Sequence, residues 1–96
     1  YIDDLVSVLS KSLSLEFSHS PLNLAHGRGY SIAETAEITK EVIAYPGKLK
    51  FNTNYEDGAP IKILDNSKFI EVFGNFEFTD FSDAVKKTAV YHEKLI

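Results

Sequence analysis

The stretch PLNLAHGRGYSIAETAEITKEVIAYPGKLKFN, Pro21 to Asn52, decides the fold class. Its middle is the clearest helix in the chain. Ser31 and Glu34 form an S-x-x-E capping box, in which each side chain meets the backbone N–H of the other residue. Ile32, Ala36, Thr39 and Ile43 recur along one helical face, with Ala33 and Val42 beside them, and Pro46-Gly47 stops the run. On the near side, PLNLA is a short apolar run of the kind a buried strand uses, and HGRG turns the chain. On the far side, KLKFN alternates polar and apolar residues, as a half-buried strand does. Strand, helix and strand in series predict an α/β fold.

Outward from this unit the pattern continues. DDLVSVLSKSLSLEF (Asp3–Phe17) reads as a first helix with Asp3 as its cap, Asp4 at the positive end of the helix dipole, and Leu5, Leu9 and Leu13 as its stripe. Val6 and Val8 widen that stripe, and SHSP ends the helix. Beyond Asn52, TNYEDGAP has turn chemistry and IKILD is a short extended piece. NSKFIEVFG is a short helix with Gly74 after it, and NFEFTDF is extended. SDAVKKTAVYHEKLI closes the chain as a helix with Phe81, Val85, Thr88, His92 and Leu95 along one side. Two clear strands are few, because a two-stranded sheet is marginal by itself. The chain has no Met and opens on YIDDLV, which reads as a strand end running into a helix. Residues 1–96 therefore read as a single region of a larger protein, whose helices expect apolar partners outside it.

Composition narrows the function classes. At 44% hydrophobic and 25% charged, the chain matches an ordinary globular domain. The net charge of −4, with one arginine and scattered lysines, argues against a nucleic-acid partner, which needs a basic face to neutralise phosphates. No apolar run approaches the roughly 20 residues that span a bilayer, so no membrane is expected. Cysteine is absent, which removes disulfides and thiolate zinc sites and fits the cytoplasm.

The usual catalytic constellations are missing. His19, His26 and His92 lack metal-ligand spacing; His26 reads as a polar turn residue and His92 as a core or boundary residue of the last helix. Gly27-Arg28-Gly29 before a capped helix suggests an anion site, yet the six-residue glycine fingerprint is incomplete and no Walker lysine follows. The glycines read instead as a tight turn. Asp3-Asp4 is explained by the helix start. No G-x-S-x-G elbow occurs, and none of the five tyrosines has a lysine four positions on. No catalytic, cofactor-binding or metal-binding residue is assigned.

Four motifs in order carry a family resemblance that spans essentially the whole chain. They are YIDDLV, PLNLAHGRGYSIAETAEI, GKLKFNTNYEDGAPIKILDNSKF and FSDAVKKTAVYHEK. In this order they resemble the C-terminal part of the extended short-chain dehydrogenase/reductases, the NAD-dependent epimerase/dehydratase family. Within it DGAPIK is most similar to the segment of the GDP-L-fucose synthase group. The resemblance implies a small C-terminal substrate-binding subdomain attached to an NAD(P)-binding Rossmann-type domain. It implies a parent that is a nucleotide-sugar epimerase, reductase or dehydratase, with NADP or NAD held upstream, a homodimeric assembly, and the cytoplasm as its location. Carried onto this chain, Asp57 accepts hydrogen bonds from ribose hydroxyls and Gly58 lets the backbone approach the ligand. Pro60 stiffens the loop, and Lys62 faces the diphosphate as a point charge. Three positions depart from the pattern: Ala25 replaces a glycine, Ala59 a threonine and Ile61 an arginine, the last removing a bidentate phosphate contact. The alternative is a non-catalytic binding or interaction module that keeps the scaffold without the chemistry.

Overall fold

The structure, a computed structural model, describes residues 1–16 and 21–96. It contains α1 (Ile2–Ser12), α2 (Ile32–Val42), α3 (Ser67–Phe73) and α4 (Phe81–Glu93). These are the four places where the sequence pattern predicts helices. The helix stop read at SHSP begins outside the described residues, and so does His19.

The α/β expectation is overturned. Among the described residues there is no strand, and therefore no Rossmann-type sheet subdomain. A strand exists only through a neighbouring strand that takes its N–H and C=O groups, and alternating or short apolar runs do not supply that neighbour. The run at Pro21–Ala25 shows what replaces it. Lys68 Nζ donates to the Pro21 carbonyl at 3.0 Å, Asn23 Nδ2 to the Asp65 carbonyl at 3.5 Å, and Asn66 Nδ2 to the Ala25 carbonyl at 3.2 Å. Side-chain-to-carbonyl bonds between this segment and the α3 entry, two from Asn66 and Lys68 and one from Asn23, thus stand where a sheet ladder was expected.

The chain forms two compact units, Tyr1–Gly27 with Leu64–Thr79 and Arg28–Ile63 with Asp80–Ile96. The first is built on aromatic packing. Phe69 is 1% exposed and Val8 4%. Phe69 stacks on Phe73 at 4.9 Å between centroids, Phe76 meets it edge-on at 6.1 Å, and Phe78 lies tilted against it at 5.5 Å. Such pairs add to the area they bury because ring edges and faces carry opposite partial charge. The first turn of α3 is organised by Asp65, whose Oδ1 accepts from the Ser67 N–H at 2.9 Å and from Ser67 Oγ at 2.5 Å. These two bonds hold the Asp65 carboxyl below its ordinary range. Gly74, at φ 68°, closes the helix as expected.

Helix α1 joins this unit through Val8, at the edge of the apolar stripe, and not through Leu9 and Leu13. Tyr1, not Asp3, is its N-cap, and no side chain caps it. Asp4 Oδ2 accepts from the Thr79 N–H at 2.9 Å and Asp4 Oδ1 from Thr79 Oγ1 at 2.7 Å. Lys11 Nζ lies 4.9 Å from the centroid of Phe76. Val8 is buried, whereas Ile2, Val6, Leu9 and Leu13 form an exposed apolar stripe. The polar tether at Asp4 and the buried Val8 lie on the inward side.

In the second unit α2 packs on α4. The capping box at Ser31 and Glu34 is present in full. The inward side of α2 is half-buried through Thr35, Ala36, Ile38, Thr39 and Val42, while Ile32 and Ile43 are exposed. On α4 the half-buried side runs through Phe81, Val85 and Ala89; Thr88, His92 and Leu95 face solvent. His92 is thus not a core histidine. Helix α2 stops before Pro46 by a Schellman arrangement: Tyr45 N–H bonds to the Lys40 carbonyl, Ala44 N–H to that of Glu41, and Ala44 sits at φ 53°.

Candidate functional site

Asp57, Gly58 and Lys62 lie in the long connection between α2 and α3. It opens with an Asx turn, in which Asn52 Oδ1 accepts from the Asn54 N–H at 3.0 Å. Every residue from Phe51 to Asp65 is exposed. Neither Asp57 nor Lys62 has a hydrogen-bond or ion-pair partner among the described residues. Nothing lies within 4 Å of the place where a Cβ on Gly58 would stand. Packing within the chain therefore does not demand glycine at this position, nor does it occupy the acid or the lysine. All three are available to a ligand or a neighbouring surface.

The glycine turn at His26–Gly29 differs sharply. Gly27 is at φ 79°, and a Cβ there would stand 2.6 Å from Asn66 Nδ2; one on Gly29 would stand 2.7 Å from Ile63 Cδ1. Gly27 is favoured by its positive φ, and a Cβ at either glycine would have to displace the end of the Asn66 or Ile63 side chain. The Ser31 N–H is already taken by Glu34 and the Glu34 N–H by Ser31 Oγ, at 2.7 and 3.0 Å. Two of the N–H groups at this helix start, those of Ser31 and Glu34, are thus taken by the capping box.

The remaining candidates have structural partners. Asp4 is engaged with Thr79. His26 sits edge-on to Phe78 at 5.0 Å and lines a cleft of about 260 Å³ with Asn66, Phe69 and Phe76. Among the described residues no three His, Asp or Glu side chains stand together as metal ligands do, and no helix is long and apolar enough to cross a membrane.

Two features were not read from the sequence. Arg28 lies over the Tyr30 ring with Cζ 4.5 Å from its centroid, and Tyr30 stacks on Phe81 at 4.7 Å with planes 24° apart. The Gly29–Ile63 approach puts the glycine turn against the far end of the 57–62 loop. The first pairing joins residues at i and i+2, a spacing that carries no signal without knowledge of the turn between them; the second spans more than thirty positions.

No protein-family model matches the chain, and no solved structure matches it. Curated proteins do. It is 32% identical over 72 residues to "Probable GDP-L-fucose synthase 1" of Oryza sativa, which is 75% of this chain and 22% of the relative. It is 34% identical over 68 residues to "GDP-L-fucose synthase 1" of Arabidopsis thaliana, 71% of the chain and 21% of the relative. It is 31% identical over 90 residues to "GDP-L-fucose synthase" of Dictyostelium discoideum, 92% of the chain and 28% of the relative. The chain thus spans between 21% and 28% of the length of these relatives. By sequence it is related to the GDP-L-fucose synthases and corresponds to a C-terminal part of such an enzyme.

Proposed function

We propose that this chain is the sugar-nucleotide-holding part of a GDP-L-fucose synthase-like enzyme, a 3,5-epimerase and 4-reductase acting on a GDP-4-keto-6-deoxy sugar. The observation that carries the reading is the similarity to the GDP-L-fucose synthases, which reaches 92% of the chain. In this reading Asp57 takes the ribose hydroxyls of the nucleotide, a carboxylate being an acceptor with capacity for two donors. Lys62 offsets phosphate charge, and Gly58 lets the backbone come close. Exposure of all three and the absence of partners for the two charges support it. NADP, the supplier of reducing equivalents in such a reaction, is held by polypeptide outside these residues. So are the proton-transferring groups, since none of this chain's residues forms such a set. The exposed stripe of α1, from Ile2 to Leu13, supports packing against further polypeptide of the parent. The parent works as a homodimer in the cytoplasm.

The test uses the full-length protein that carries this segment. Asp57→Ala and Lys62→Ala are each expected to raise the KM for the sugar nucleotide by roughly tenfold, the loss of one charged hydrogen bond. The affinity for NADP, measured by fluorescence titration, stays unchanged. An unaltered KM in both variants removes the loop from the site.

A further inference from the structure

The loop assigned to the sugar nucleotide has one cation, Lys62, whereas a nucleoside diphosphate carries negative charge on each of its phosphates. The same unit holds another cation, in the glycine turn. Arg28, the sole arginine of the chain, is exposed at its outer side while its guanidinium rests on Tyr30, 4.5 Å from the ring centroid. Tyr30 is itself half-buried against Phe81, the first residue of α4. A guanidinium stacked on an aromatic face keeps its N–H edge available for in-plane hydrogen bonds. Among the described residues no acceptor takes those donors. Glu34, the acid nearest along the chain, is committed to the Ser31 N–H at 2.7 Å. The stack also orders a side chain that otherwise loses much rotamer freedom on binding.

The position of this cation follows from its neighbour. The end of the Ile63 side chain lies against Gly29, so the residues that precede these two in sequence border one contact between the glycine turn and the loop. Those residues are Arg28 and Lys62. A Cβ at position 29 would stand 2.7 Å from Ile63 Cδ1 and push that side-chain end aside.

We propose that Arg28 is the second cation of a nucleoside-diphosphate site: its planar fork takes one phosphate in a bidentate grip while Lys62 offsets the other. The inference rests on the reading of the 57–62 loop as facing the sugar nucleotide. It goes beyond that reading by adding a phosphate-binding side chain from the glycine turn and a ring stack that holds it ready. It assigns no role to the backbone N–H groups of that turn.

The full-length protein, titrated calorimetrically with GDP and separately with guanosine, provides the test. Arg28→Gln is expected to weaken GDP about tenfold or more and to leave guanosine unchanged, because a charged phosphate contact is lost and nothing else. Arg28→Lys recovers part of the affinity, since it restores charge without the fork. Tyr30→Phe, which keeps the ring, binds GDP as the parent does, and Tyr30→Leu weakens it several-fold. If Arg28→Gln binds GDP normally while Lys62→Ala is weakened, the proposal for Arg28 is overturned and the loop reading stands. If Arg28→Gln weakens guanosine as much as GDP, the effect is structural and the proposal also falls. If Asp57→Ala, Lys62→Ala and Arg28→Gln all bind GDP normally, both readings fall together.

Discussion

The two units of the chain spend their apolar residues differently. In the first, Phe69 and Val8 are the buried side chains among the described residues, and rings close around Phe69 from α3 and from the segment that follows it. Polar tethers from Asp4, Asn66 and Lys68 then fasten α1 and the Pro21–Ala25 run. In the second, α2 and α4 meet through half-buried stripes, neither helix has a fully buried residue, and the connection from Phe51 onward is exposed. Local stability follows buried apolar contact. The first unit thus has the character of a support. The second leaves its connecting loop and the stacked Arg28 exposed.

The strongest way to break that contrast is Phe69→Ala. Removing a buried phenyl ring costs about 3–5 kcal/mol, and hydrogen exchange in the full-length protein should show amides of α1 and α3 losing protection while those of α2 and α4 keep theirs. Equal loss in both pairs would mean that the aromatic cluster also supports the helix pair.

Ala44→Gly sharpens the contrast in the opposite direction. Ala44 ends α2 in the left-handed region, where a Cβ costs roughly 1 kcal/mol or somewhat more. The substitution should raise protection of the α2 amides by up to that amount and leave the first unit unchanged. A decrease would show that the Ala44 methyl packs usefully.

The smallest effect concerns pH. Ser67 holds the Asp65 carboxyl below its ordinary range, so the folded state binds this proton less readily than the unfolded chain. The contribution is therefore present above the usual carboxylate range and is lost as pH falls through the lowered value. The Ser67 amide resonance should titrate with a midpoint below that of an ordinary aspartate, and Asp65→Asn should abolish the titration. A midpoint at the ordinary value would show that the Ser67 bonds do not form in solution.

Legibility in the sequence followed the range of the interaction. The capping box of α2 and the glycine after α3 were readable because both ends of each contact lie within a few residues. Proline at 46 marked the end of α2 correctly, although the stop itself is made at Ala44 by backbone bonds. The stripe of α1 was misplaced because Leu5, Leu9 and Leu13 satisfy helical spacing as well as Val8 does. The bond from Asp4 to Thr79, across 75 positions, joins the burial of Val8 on the inward side. The loop residues Asp57, Gly58 and Lys62 were identified by resemblance, and their openness is a property the sequence does not state.

By itself, then, the amino-acid order determined where four helices lie and how α2 begins and α3 ends, though not the bounds of α1. Those are matters of hydrogen bonds between near neighbours and of permitted backbone angles. The tertiary structure decided that the apolar runs stay unpaired rather than forming a sheet, that Phe69 and not the leucines makes the centre, and that Gly29 meets Ile63. Each of these depends on which distant segment arrives alongside, and an alternating or apolar run is equally compatible with a strand partner, a side-chain tether or none.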